Sequence, residues 1–181
     1  MSVTSTARAS FGSASVRFMG LGTVLFTVLI SLSAQAFSEG PDGRFPKHPD
    51  TTMTPGSVCT TGTTRRYPEG ITYCNRDVDR DLKRDLFRQY DVTLGYETQG
   101  MSRGDFKIDH YIPLCAGGSN QATNLWPQHK SVYAITDPLE PLICAKMSAG
   151  RLKQADAVKL VRKAKMDLKE VAGVMNYLNS L

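Results

Sequence analysis

Residues 107–128 read KIDHYIPLCAGGSNQATNLWPQ and hold the densest set of chemically usable side chains in the chain. Asp109 and His110 are adjacent at the end of an apolar run. Asn124 and the lone Trp126 follow after the Gly117-Gly118 pair. A carboxylate is a hard oxygen ligand suited to Mg²⁺ or Mn²⁺. A neutral imidazole beside it can take a proton from water near neutral pH. An asparagine amide offers both a donor and an acceptor with which to bridge a loop. Together these types point to metal-assisted hydrolysis. Consecutive strand residues leave opposite faces, so a shared site requires the strand to end or bend, and Pro113 supplies a place for that.

The run DHYIPLCAGGSNQATNLWPQ resembles the HNH endonuclease family in its variant D-H-x-I-P-L-x-x-G-G-x-x-x-x-x-N-L-W-P-Q. Asp109, His110, Ile112, Pro113, Leu114, Gly117, Gly118, Asn124, Leu125, Trp126, Pro127 and Gln128 match in register. Downstream, Asp137, Glu140 and Gly150 fall at family positions more loosely. The resemblance implies an α+β fold with a ββα-metal hairpin-helix core, extra helices and disulfide staples. It implies His110 as general base, Asp109 and Glu140 as metal ligands, and Asn124 as the residue ordering the loop. One divalent ion, Mg²⁺ or Mn²⁺, would stabilise the pentacovalent phosphate of a DNA substrate, with RNA as a further possibility. Lys107 and Arg103 are candidates for contacts to the nucleic-acid backbone.

The departure from the family is Cys144, which stands where the variant has a metal-binding histidine. It lies four residues after Glu140, on the same helix face. As a thiolate it would favour Zn²⁺; bonded to Cys115 it would remove one ligand. His129 is a substitute ligand in principle, though a solvated histidine is the simpler reading.

The elements that must position these residues follow from pattern. Strands are expected over 58–61 and 71–74 around the turn signals Pro68 and Gly70. Asn75 is expected to cap a helix over 76–90, with Val78, Leu82, Leu86 and Tyr90 as its buried stripe. Arg76, Arg80, Arg84 and Arg88 form a basic row beside Asp77, Asp81 and Asp85, read as a solvated face of weak ion pairs. Residues 106–112 form a strand and Leu125-Trp126 its partner. A helix starts between Asp137 and Glu140 and ends at Gly150; two amphipathic helices follow over 153–165 and 168–178.

Residues 1–36 read as a secretory signal: Arg8 and Arg17, an apolar run over 19–32, then SAQA. The protein is therefore expected to be secreted or periplasmic, without membrane association after cleavage. Residues 37–56, dense in Pro, Gly and Asp, read as a flexible leader, and 57–181 as the nuclease-like domain. Cleavage removes two arginines and no carboxylate, lowering the formal charge from +5 to +3. That excess is compatible with a polyanionic partner. Cys59, Cys74, Cys115 and Cys144 all lie in the exported part, and no C-x-x-C pair occurs. Two disulfides are expected. Cys59 with Cys74 flanks a short turn-rich segment, which leaves Cys115 with Cys144. Two other functions stand beside the nuclease. One is an HNH-like domain that has lost its metal and binds nucleic acid or a protein. The other is a structural domain in which Asp109 and His110 form a buried salt bridge.

Overall fold

The computed structural model describes residues 42–181, so the signal expected over 1–36 lies outside the described residues. The described chain is mixed α+β, with two antiparallel hairpins, helices packed around them and two disulfides. In the first hairpin β1 (Thr64–Arg66) pairs with β2 (Ile71–Tyr73), Thr64 opposite Tyr73. The first strand thus lies nearer the turn than the expected 58–61. Cys59 is bonded to Cys74 and donates its N–H to Gly117 O (2.8 Å), which ties that stretch to a neighbouring loop instead of a sheet.

Helix α1 (Arg80–Leu94) begins four residues later than expected. The Asp79 carboxylate accepts from Leu82 N, so Asp79 rather than Asn75 satisfies the helix's orphan N–H groups. Leu86, Phe87 and Tyr90 form its buried stripe. Asp81 with Arg84 (3.0 Å) and Asp85 with Arg88 (3.3 Å) pair on the exposed face, where such pairs contribute little. Arg76 leaves the row altogether, because residues 76–79 precede the helix and are not helical.

The second hairpin carries the candidate site. Strand β3 (Phe106–His110) pairs with β4 (Leu125–His129), setting Asp109 opposite Trp126 and His110 opposite Leu125. Helix α2 (Lys130–Thr136) follows at once, an element its β-branched Val132, Ile135 and Thr136 conceal from propensity. The His129 ring caps it by accepting from Ser131 N. Then come α3 (Leu139–Ser148), α4 (Gln154–Met166) and α5 (Glu170–Ser180). Ile112, Ile143, Val161, Val174 and Leu178 close the core between the loop after β3 and these helices. Full burial of each such side chain stabilises by about 1.5–3 kcal/mol.

Residues 42–56 do not behave as a flexible leader; they pack. The Phe45 ring stacks on His129 at 4.0 Å between centroids. Thr54 is fully buried, its hydroxyl 2.7 Å from Tyr90 Oη and donating to Leu125 O. Asp50 accepts from the N–H groups of Thr52 and Met53, which gives this polar stretch a fixed turn. Among the described residues no helix is long and apolar enough to cross a membrane.

Candidate functional site

Strand β3 sends Asp109 and His110 into different surroundings. Asp109 Oδ2 accepts from Lys165 Nζ at 2.6 Å, and Lys107 Nζ lies 3.3 Å from Oδ1. Lys165 is itself buried and also donates to His110 O at 2.6 Å. Burial alone would raise the Asp109 pKa; the ammonium groups of Lys165 and Lys107 outweigh it and hold the carboxyl below the usual range. Asp109 therefore does form a buried salt bridge, but with a lysine from α4 and not with His110.

The His110 ring faces the opposite way. Arg76 Nη1 donates to Nδ1 (3.3 Å), and Arg76 Nη2 donates to Ile108 O (3.2 Å). A guanidinium has no acceptor, so Nδ1 carries the lone pair and Nε2 the proton. Consistently, Nε2 lies 3.0 Å from Asn120 Oδ1, while Asn120 Nδ2 donates to Asn75 O. Burial pushes the His110 pKa down; the Asn120 bond opposes this and Arg76 reinforces it. The imidazole is neutral near neutral pH. Its one basic nitrogen faces Arg76 and not an open water position.

Asn124 orders the loop as its place in the sequence suggested. It is fully buried and bonds both backbone groups of Ile112 and the carbonyl of Ser119. Gly117, at φ 80, ends the short turn 114–116 in the left-handed region.

The remaining expected ligands do not assemble around a metal. Cys144 is disulfide-bonded to Cys115 and supplies no thiolate, which corrects its reading as a zinc ligand. Cys115, Glu140 and Cys144 do cluster, with their ligand atoms within 4.8 Å, but two of the three are this disulfide. Glu140 is exposed at its surface, but loss of solvation by the packed atoms around it raises its pKa, offset in part by Lys165. His129 is held under Phe45 and caps α2, so it is neither solvated nor a substitute ligand. A divalent ion needs several free oxygen or nitrogen donors. With Asp109 bonded to two ammonium groups and Cys144 oxidised, the donor set does not fit one.

Lys107 belongs to this side of the site, bridging Asp109 and Asp137 (2.5 Å). Arg103 does not; its guanidinium covers the Phe87 ring at 4.0 Å and donates to Phe106 O. Sequence reasoning missed Lys165, Arg76 and Asn120. Lys165 was hidden among the lysines of an amphipathic helix, and Arg76 in the apparent basic row.

Two openings flank β3. A groove of about 560 Å³ is lined by Thr60, Thr61, Thr64, Tyr73, Asn75 and Asn120, with Asp77 as its acidic member. Arginines lie beside its lining residues: Arg65 donates to Gly62 O, Arg66 lies 3.4 Å over the Tyr73 ring, and Arg76, between Asn75 and Asp77, reaches His110. On the other side, Lys107, Asp137, Glu140, Pro141 and Cys144 bound an open cleft of about 580 Å³. No protein-family model matches the chain, and no curated protein or solved structure matches it significantly, so the likeness to HNH endonucleases rests on the motif residues alone.

Proposed function

We propose that this is an HNH-like domain that binds the sugar-phosphate backbone of nucleic acid and carries out no metal-dependent hydrolysis. The observation that carries the reading is the polar groove lined by Asn120, the hydrogen-bond partner of His110, with Arg65, Arg66 and Arg76 beside its lining residues. Threonine hydroxyls and amides match sugar and phosphate oxygens, and guanidinium groups pair with phosphates in a fork geometry. The second hairpin and the helices frame the site, but Lys165 engages Asp109 and the Cys115–Cys144 bond withdraws Cys144, so neither is free for the metal that hydrolysis would use. Two disulfides suit an oxidising, non-cytoplasmic compartment.

The test is titration of labelled single-stranded and duplex DNA and RNA by fluorescence anisotropy, beside plasmid nicking in EDTA, Mg²⁺, Mn²⁺ and Zn²⁺. Binding should weaken with salt at a log-log slope of roughly −2 for three phosphate contacts on a single strand. The Arg65→Ala/Arg66→Ala/Arg76→Ala variant should lose most of it. Metal-dependent nicking that disappears in His110→Ala would restore the nuclease reading instead. Absence of binding at low salt would reject a nucleic-acid partner.

A further inference from the structure

The Lys165 ammonium has the surroundings of a bound cation. It is 4% exposed, and its two hydrogen bonds go to oxygens: a carboxylate of Asp109 and the backbone carbonyl of His110, each at 2.6 Å. Glu140 lines the same cleft as Lys107, whose ammonium lies 3.3 Å from Asp109 Oδ1. The carboxylate and carbonyl oxygens are hard donors of the kind that take Mg²⁺, Mn²⁺ or Ca²⁺. The charges balance only with the lysine present. Asp109 pairs with both Lys165 and Lys107, and Asp137 pairs with Lys107; without Lys165, two carboxylates would face Lys107 alone. The cleft bounded by Lys107, Asp137 and Glu140 would give an ion a path from solvent.

We propose that Lys165 is the resident cation of this fold, a covalently tethered charge in a divalent-ion position. The domain is thereby independent of divalent metal, and removing the amine uncovers a cation site formed by Asp109 and the His110 carbonyl. The site binds the ion through oxygens only, so it prefers Mn²⁺ over thiophilic metals.

The experiment compares the full exported chain with Lys165→Ser, Lys165→Arg and Lys165→Ser/Asp109→Ala, using Mn²⁺ as the probe. Bound Mn²⁺ is read from loss of the free-ion paramagnetic resonance signal and from thermal melting in Mn²⁺ or EDTA. The wild type and Lys165→Arg should bind no Mn²⁺ and melt alike in both. Lys165→Ser should melt lower in EDTA and recover by about 4 °C in a tenfold excess of Mn²⁺ over Kd. The added Asp109→Ala change should abolish that recovery. Folding of Lys165→Ser only when Mn²⁺ is present would support the proposal equally. Stoichiometric Mn²⁺ binding by the wild type would overturn it. So would a Lys165→Ser protein that is folded yet unresponsive to Mn²⁺, or that stays unfolded with and without the ion.

Discussion

Asn124 closes both backbone groups of Ile112 with one side chain: Oδ1 accepts from Ile112 N at 2.9 Å, and Nδ2 donates to Ile112 O at 3.0 Å. The same Nδ2 donates to Ser119 O at 2.9 Å. A fully buried amide thus replaces the strand pairing that β3 loses after His110. Asn124→Asp keeps the shape but turns the carboxylate toward two carbonyl oxygens. It should cost about 3 kcal/mol or more, since buried acceptors left unpaired cost about 1–3 kcal/mol each. Urea unfolding at neutral pH measures it; a loss below about 1 kcal/mol would mean the loop is held by something else.

Gly118 is constrained by proximity more than by its backbone angles. A Cβ there would overlap the Ile112 carbonyl and come within 2.9 Å of Asn124 Nδ2. Gly118→Ala should therefore destabilise by about 1–3 kcal/mol through overpacking. Because it strains the same bonds that Asn124 makes, its effect should not add to that of Asn124→Asp. Unfolding of both single variants and the double variant checks this.

The second hairpin was legible in the sequence because its signals are local. Apolar Phe106 and Ile108 alternate with polar Lys107 and Asp109 in β3, a Gly-Gly turn follows, and Asn124 immediately precedes the return strand. The buried face of α5 was equally plain from Val171, Val174 and Leu178. What could not be read was the long-range part. Nothing near Lys165 in sequence distinguishes it from Lys159 or Lys163, yet only Lys165 turns inward, 55 residues away from the carbonyl it binds. Arg76 looked helical by its four-residue spacing to Arg80, but Asp79 supplies the cap, while the Asn75 carbonyl accepts from Asn120. Residues 42–56 looked free because their composition is polar, whereas Phe45, Thr54, Arg44 and Asp50 anchor them into the fold.

His110 gives stability a definite pH dependence. Its folded pKa lies below the ordinary imidazole value, so between the two values the unfolded chain binds more protons than the folded one. Its contribution is then complete above about pH 6.5 and is lost as pH falls from there through the folded pKa. His129 is shifted in the same direction, by burial foremost, and adds to the slope. His110→Gln should flatten the stability profile between about pH 7.5 and 5.5 without abolishing it. Denaturant midpoints across that range decide the matter; an unchanged slope would assign the whole effect to His129.

The two disulfides should separate stability from binding. The Cys115–Cys144 bond closes a separation of 29 residues and joins the turn after β3 to α3. Its removal by Cys115→Ala/Cys144→Ala should cost about 3–4 kcal/mol, from loop entropy restored to the unfolded chain. It touches none of the arginines at the groove, so affinity for nucleic acid should stay within about twofold while the protein remains folded. The Cys59–Cys74 bond closes a separation of 15 and costs about 3 kcal/mol by the same reasoning. It also ends two residues before Arg76, and both of its cysteines line the groove. Cys59→Ala/Cys74→Ala should therefore release the 74–79 stretch and weaken binding by about tenfold, the equivalent of one lost charged contact of about 1.4 kcal/mol. Anisotropy titrations of both double variants, run well below their melting temperatures, provide the comparison. Equal losses of affinity in the two would show that the groove is not where the nucleic acid lies.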